Sequence, residues 1–173
     1  MEDKLWEQVA VFHGHKCPGL AIGYKVSLLA LKHLDIKDDI NDEDIVCIAE
    51  TDACGVDAVQ VILKATTGTG AMRILYTGKQ AFNIFNRKNG KKARFVLNNI
   101  QDFNNKEDKM KYILSTDEEK LFTVKDVKIM FPEKAQIYNS YICSECGEKT
   151  AENAVTIITV SYTHLTLPTI CSV

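Results

Sequence analysis

The seven residues His13-Gly14-His15-Lys16-Cys17-Pro18-Gly19 restrict the local fold more than any other part of this sequence. Pro18 suits the first turn of a helix and would disrupt a helix interior. Apolar residues recur at helical spacing over residues 20–34, and a shorter amphipathic pattern covers residues 5–12. The seven residues are therefore predicted to form an extended connection between two helices.

Three potential metal ligands occupy alternate positions in this connection. In an extended chain, His13, His15 and Cys17 point to the same side. Two imidazoles and one thiolate form a ligand set that suits Zn²⁺, Ni²⁺ or Fe²⁺. Cys17 also precedes a helix, and the dipole and unpaired amides at a helix N-terminus favour a thiolate. The segment is predicted to bind a transition metal, with reactive-thiolate chemistry as the alternative.

A second cysteine, Cys54, lies between a predicted strand at Ile45–Ala49 and a predicted helix over residues 55–64. The same helix-end argument predicts a lowered pKa for its thiol. If this strand lies beside the first segment, Cys54 would complete a four-donor metal shell. Cys17 and Cys54 are the candidate catalytic residues. A small buried core residue is the alternative for Cys54, and Asp57 is expected only to complement the helix dipole.

Two further cysteines, Cys143 and Cys146, are separated by two residues and can share one metal ion. A structural zinc site needs four ligands, so the pair is predicted to be half of a truncated zinc ribbon. A redox-active pair is the alternative. From about Val160 onward the sequence resembles the translation of a transposon-type sequencing adapter and is predicted to be non-native. The missing pair of ligands would be expected where this tail lies.

The remaining patterns predict an α+β fold, in which helices pack on a mixed or antiparallel sheet and a small, incomplete zinc ribbon follows. Asn89-Gly90 predicts a hairpin, and residues 67–70 are interpreted as an ordinary turn. The predicted parts are a core domain at 1–134, a truncated ribbon at 135–159 and the tail at 160–173. Other expected elements are strands at 72–76, 81–85 and 92–97 and helices at 105–114 and 118–127.

Composition narrows the class of protein. Of the 173 residues, 46% are apolar and 25% are charged, and the net charge is −2. These values are typical of a soluble globular protein and give no indication of nucleic acid or membrane as a partner. The polar start, Met1-Glu2-Asp3-Lys4, does not resemble a signal peptide, so the cytoplasm is the expected location.

Four stretches together resemble the FmdE family, which is associated with formylmethanofuran dehydrogenase. They are Phe12-His-Gly-His-Lys-Cys-Pro-Gly-Leu-Ala-Ile-Gly23, Cys54-Gly-Val-Asp-Ala-Val-Gln60, Gly78-Lys-Gln-Ala-Phe82 and Cys143-Ser-Glu-Cys-Gly-Glu148. The resemblance implies an α+β core that commonly dimerises, followed by a zinc ribbon. It also implies a metal at His13, His15, Cys17 and Cys54. A cysteine and a lysine usual in the family are absent here, at Ala65 and Thr69.

Three functions agree with these residues. The first is a metal-binding accessory component, or stand-alone relative, of a molybdenum or tungsten formylmethanofuran dehydrogenase, in the context of CO₂ reduction onto a C1 carrier. The second is an independent enzyme that uses a metal-bound water or the Cys17 thiolate on a small substrate. The third is a non-catalytic metal carrier or sensor. Beyond Glu50, Asp52 and Asp57, the sequence indicates no acid or base for catalysis.

Overall fold

The computed structural model describes residues 2–37, 39–41, 43–134, 137–158 and 161–164. The chain divides into two compact units, Met1–Ala135 and Gln136–Val173. The described helices of the first unit are α1 (Glu2–His13), α2 (Pro18–His33), α3 (Gly55–Leu63), α4 (Lys106–Ser115) and the single turn α5 (Glu118–Leu121).

Helix α2 is the central element of the core because it is buried on nearly all sides. Pro18 occupies its first turn and Cys17 caps it, as the sequence predicts. Eleven of its residues, from Leu20 to Ala30, are buried in an unbroken run. A helix that is apolar around its whole circumference needs neighbours on several sides, and α1, α3, α4 and α5 supply them.

The first unit contains a five-stranded sheet with the order β2-β1-β3-β4-β5. Strands β1 and β2 are parallel, and the other neighbouring pairs are antiparallel. The Asn89-Gly90 hairpin is confirmed, with Gly90 at a φ of +74°. The mixed sheet with helices packed on it confirms the α+β fold class. The strand bounds are β1 (Ile45–Ala49), β2 (Met72–Ile74), β3 (Ala81–Asn86), β4 (Lys92–Leu97) and β5 (Phe122–Lys125).

The two faces of the sheet are covered differently. One face carries Cys47, Ile84 and Phe95 into the main core against the helices. The opposite face carries a small apolar cluster of Val46, Ile48 and Phe85, which Val127 and Ile129 cover. The second face therefore depends on a loop segment after β5 for its apolar cover, and part of it stays polar.

The helix predicted over residues 118–127 is wrong beyond its first turn. Helix α5 ends at Leu121, and Phe122 begins the edge strand β5, which pairs with β4. Aromatic and β-branched residues in Phe-Thr-Val favour a strand once a sheet edge is available. The turn is held by Glu118, whose carboxylate lies 2.6 Å from the nearly buried ammonium group of Lys25.

The second unit consists of two short antiparallel pairs in its described residues. Strand β6 (Ser140–Ile142) pairs with β7 (Lys149–Ala151), and β8 (Val155–Ile158) pairs with β9 (Ser161–His164). Residues 160 and 165–173 of the predicted non-native tail lie outside the described residues, whereas 161–164 form β9.

None of the helices in the described part of the chain combines the length and the apolar character that crossing a membrane requires.

Candidate metal centre

The ends of three helices bring the predicted donors together. Helix α1 ends at His13, and Gly14, at a φ of +89°, reverses the chain. Cys17 caps α2 in an extended conformation, and Cys54 immediately precedes α3. The extended connection predicted for this segment is therefore wrong at His13, which is helical. A helix end followed by a glycine turn achieves the convergence that alternation along a strand was expected to give.

Glycine at positions 23 and 55 allows α2 and α3 to approach closely next to the cysteines. A Cβ atom on Gly23 would lie 2.0 Å from the carbonyl oxygen of Gly55, well inside van der Waals contact. A Cβ atom on Gly19 would lie 3.1 Å from the Cβ of Cys54. The close helix contact thus places Cys54 against the N-terminus of α2, where Cys17 lies.

His13, His15 and Cys17 each direct one ligand atom to a common point. These three atoms lie within 4.8 Å of one another. The Nε2 atom of His13 lies 3.9 Å from the Sγ of Cys17, and the two imidazole rings are 4.5 Å apart between centroids. The backbone amide of Leu20 donates a hydrogen bond of 3.3 Å to Cys17 Sγ. Convergence of the three predicted ligands is therefore observed.

Asp57 fixes the orientation of His13, a role that the sequence did not predict. Its Oδ2 atom lies 2.7 Å from His13 Nδ1, so the other ring nitrogen, Nε2, faces Cys17. The second carboxylate oxygen accepts a hydrogen bond from the side chain of Gln60, which also accepts hydrogen bonds from Thr67. A carboxylate on the remote nitrogen of a metal-binding histidine is a common supporting interaction. The spacing of Cys54 and Asp57, three residues apart on one helix face, was the available signal.

Cys54 lies beside Cys17 but is not within 4.8 Å of all three donors. The lowered pKa predicted for its thiol is wrong. Burial raises the pKa of Cys54, and the neighbouring Cys17 thiol raises it further. Moreover, its side chain makes no capping hydrogen bond to α3, so the helix amides that were expected to favour the thiolate do not reach its sulfur.

Glu50 and Cys47 do not belong to this centre. Both carboxylate oxygens of Glu50 accept hydrogen bonds from Arg94, at 2.6 and 2.8 Å. These bonds hold the pKa of Glu50 at about 2, so it is not suited to accept a proton near neutral pH. Cys47 is fully buried in β1, and burial raises the pKa of its thiol far above the usual range.

Residues 67–70 form the ordinary turn that was predicted. Thr66 and Thr69 hydrogen-bond to each other there, and the amide of Gly70 donates to the carbonyl of Thr67. Ala65, where the family usually has cysteine, is fully buried. A thiol at that position would therefore lie in the core rather than on the surface.

Cys143 and Cys146 lie in the turn between β6 and β7. The amide of Gly147 donates to the carbonyl of Cys143, and Gly147 adopts a φ of +75°. The amide of Glu148 lowers the pKa of Cys146, but burial and the neighbouring Cys143 thiol outweigh it and leave the pKa raised. The five cysteines among the described residues are free thiols.

The donor set at the ends of α1 and α2 fits a transition metal. Ligand atoms around a tetrahedral zinc ion lie about 3.3–3.8 Å apart. The separations here, up to 4.8 Å, need a contraction of roughly 1 Å, which side-chain rotation provides. The pair Cys143 and Cys146 fits a metal only in part, because it supplies two of four ligands.

Known proteins share this architecture and these motifs. The profile of the family described as "FmdE, Molybdenum formylmethanofuran dehydrogenase operon" matches residues 12–146. A protein of Archaeoglobus fulgidus named probable S-adenosyl-L-methionine-binding protein is 29% identical, over 79% of this chain and 46% of that protein. This chain thus spans less than half the length of that relative.

A solved structure has the same fold. It is the crystal structure of an FmdE-like protein of tungsten formylmethanofuran dehydrogenase type from Syntrophus aciditrophicus. The two chains are 23% identical and superpose with a TM-score of 0.62, over 88% of this chain and 86% of that one. The match of residues 12–146 to the family profile covers both the His13 to Cys17 segment and the Cys143/Cys146 turn, and this chain belongs to the FmdE family.

Proposed function

We propose that this protein is a metal-binding member of its family, with a zinc, nickel or iron ion held by His13, His15 and Cys17. The observation that carries the proposal is the division of labour on His13. Its Nδ1 is held by Asp57 while its Nε2 faces Cys17, which is how a metal-ligating imidazole is usually fixed.

Partial exposure of the site leaves it open to small molecules. His15 is exposed and Cys17 is half-buried. A bound ion would supply Lewis-acid chemistry, and zinc in particular lowers the pKa of a coordinated water. Cys54 lies beside the site and is the proposed fourth donor. The chain's own contribution is to orient His13 through Asp57 and to hold the two cysteines together through the contact of α2 with α3.

Metal content tests the proposal. Wild-type protein purified with a metal supplement should contain close to one equivalent, and the double variant His15→Ala, Cys17→Ala should contain almost none. His33→Ala and Cys47→Ala are matched controls, because they remove one imidazole and one thiol elsewhere. Unchanged metal content in the double variant would defeat the proposal.

The role of Cys54 needs a separate measurement, because contact between two thiols also favours thiolate chemistry without a metal. Cobalt substitution gives each thiolate ligand a charge-transfer absorption. If Cys54 is a ligand, Cys54→Ser should lose about half of this absorption and Cys17→Ser the other half. If absorption depends on Cys17 alone, Cys54 is not the fourth ligand.

We also propose a C1-metabolic context, with other formylmethanofuran dehydrogenase components as partners. The support is the name of the family and that of the solved relative. A gene position beside molybdenum or tungsten formylmethanofuran dehydrogenase genes is the expected result. A position among unrelated genes would favour an independent enzyme or a metal carrier. S-adenosyl-L-methionine, from the name of the Archaeoglobus relative, is a ligand to titrate in parallel.

A homodimer is proposed on the exposed apolar end of α1. Val11 and Phe12, next to His13, are 81% and 59% exposed. Light scattering of wild type and Phe12→Ser should show a dimer and a weaker dimer, respectively; a monomeric wild type would exclude it.

For the second unit we propose that Cys143 and Cys146 hold a structural zinc ion together with two further ligands. The support is the narrow turn that brings the two thiols together. Cys146→Ser should lower the zinc content of a protein that contains more than one equivalent and leave the His13 site filled.

A further inference from the structure

A row of polar side chains crosses the face of the sheet that faces away from the helices. Asn83 pairs with Ile48 on one side and with Arg94 on the other, and Arg94 pairs with Lys125. Directly paired residues project on the same face of a sheet. Since Ile48 belongs to the cluster on the helix-free face, Asn83, Arg94 and Lys125 project there too.

A cavity of about 780 Å³ lies over this row. Its lining is strongly cationic, in contrast to the net charge of −2 of the chain. Five lysine and arginine side chains line it, against the two carboxylates of Glu50 and Asp126. The cationic residues are Lys79, Lys92, Arg94, Lys125 and Lys128.

The carboxylate of Glu50 does not neutralise this excess of positive charge, because it is already bound. It pairs with Arg94 through Nε and Nη2, which leaves the Nη1 of Arg94 available to a ligand. The four lysines make no ion pair with any residue in the described part of the chain. Like charges grouped around a concave surface repel one another and attract anions.

Asn83 adds a requirement for a hydrogen-bond donor. Its side chain is fully buried, and its Nδ2 donates to the carbonyl of Ile48 and to Glu50. Its Oδ1 is a buried acceptor with no partner in the described structure. Buried acceptors are nearly always satisfied by protein, water or ligand. An O–H or N–H group entering the cavity would satisfy this one.

We propose that the cavity binds a small molecule with at least two negative charges and a hydroxyl or amine donor. The anionic groups would bind Lys92, Arg94 and Lys125, and the donor would bind Asn83 Oδ1. Phosphate esters and hydroxy-dicarboxylates share this chemistry. The site involves none of the proposed metal ligands, so it stands whether or not the metal proposal does.

Matched pairs of ligands test both parts by calorimetry at low ionic strength. Glycerol 3-phosphate and propyl phosphate have the same charge, but propyl phosphate has no hydroxyl group. Malate and succinate form the same comparison for carboxylates. In at least one pair the hydroxylated member should bind about tenfold more tightly, the usual effect of one satisfied buried polar group. The pair that binds identifies the anion class.

Variants assign the binding to the cavity. Lys92→Ala with Lys125→Ala should weaken binding of the anion by tenfold or more, on the order expected for two charge contacts at low salt. Lys111→Ala, an exposed lysine on α4, is the control and should bind like wild type. Asn83→Ala should retain the anion and lose the preference for the hydroxyl. Absence of binding by all four probes, or equal binding by the double lysine variant, would overturn the proposal.

Discussion

His13 shows how one side chain can link two parts of the chain. One ring nitrogen faces a carboxylate on α3, and the other faces the cysteine that caps α2. The imidazole therefore cannot rotate without breaking the 2.7 Å contact with Asp57. Restricting a ligand before the metal arrives reduces the entropy lost on binding, so Asp57 is expected to contribute to affinity without touching the ion.

Replacing Asp57 with alanine should weaken metal binding by roughly 10–100-fold, the usual range for lost supporting contacts. Competition with a chromophoric chelator measures the change. Asp52→Ala is the matched control, since Asp52 is an exposed carboxylate close by in the sequence. Equal affinities in the two variants would show that the contact with His13 has no effect on the metal.

Glu50 determines part of the response of the fold to acid. Hydrogen bonds from Arg94 lower its pKa from 4.5 to about 2 in the folded protein. A carboxyl group with a lowered pKa stabilises the fold above its unfolded pKa, and this contribution is lost as the pH falls through the folded one. The effect should therefore be complete above about pH 5 and disappear toward pH 2.

Glu50→Gln should lower the free energy of unfolding at pH 7 by up to roughly 3 kcal/mol. Between pH 5 and 2 the stability of this variant should fall less steeply than that of wild type. Urea unfolding at a series of pH values measures both effects. Glu107→Gln, which removes an exposed carboxylate paired with Lys111, is the control and should follow wild type. Parallel pH profiles for Glu50→Gln and wild type would contradict this account.

At the level of elements, the contact between α2 and α3 sets the spacing of the two cysteines. The backbones meet at Gly23 and Gly55, where even a methyl group has no space. Side chains elsewhere in a core can rotate to relieve crowding, but a backbone carbonyl cannot move without shifting its helix.

Gly23→Ala is therefore expected to destabilise the protein by about 3 kcal/mol or more and to lower its metal affinity. Denaturant unfolding and chelator competition measure the two effects. Gly68→Ala is the control, because a methyl group there meets no atom within 4 Å. Loss of stability with unchanged metal affinity would mean that the helix contact does not control the site.

The sequence predicted those elements whose pattern is local. Pro18 and Asn89-Gly90 marked a helix start and a hairpin, and both are confirmed. Residues 118–127 were misassigned because the strand Phe122–Lys125 forms on the edge of β4, a partner distant in sequence. Asp57 was missed for the same reason, since its contact with His13 spans 44 residues.

On the scale of the whole molecule, the core of the first unit is complete without the second. The residues of its main cluster extend from Val9 to Phe122. Every residue of the proposed metal centre and of the anion cavity lies in this unit as well.

A chain ended at Lys134 is accordingly expected to unfold cooperatively and to keep its metal content. Circular dichroism melting and elemental analysis of the truncated protein measure these properties. A scrambled-sequence replacement of residues 137–173 in the full-length chain serves as the control for length. A molten or metal-free product would show that the first unit needs the second.

The short sequence separation of the donors affects how much the metal can raise the melting temperature. His13, His15 and Cys17 lie within five residues, so an unfolded chain still presents three donors to an ion. Ligand affinity for the unfolded state subtracts from the stabilisation of the native state. Only the contributions of Cys54 and Asp57, which folding brings to the site, become thermal stability. An ion bound tightly here should thus raise the melting temperature less than its dissociation constant alone implies.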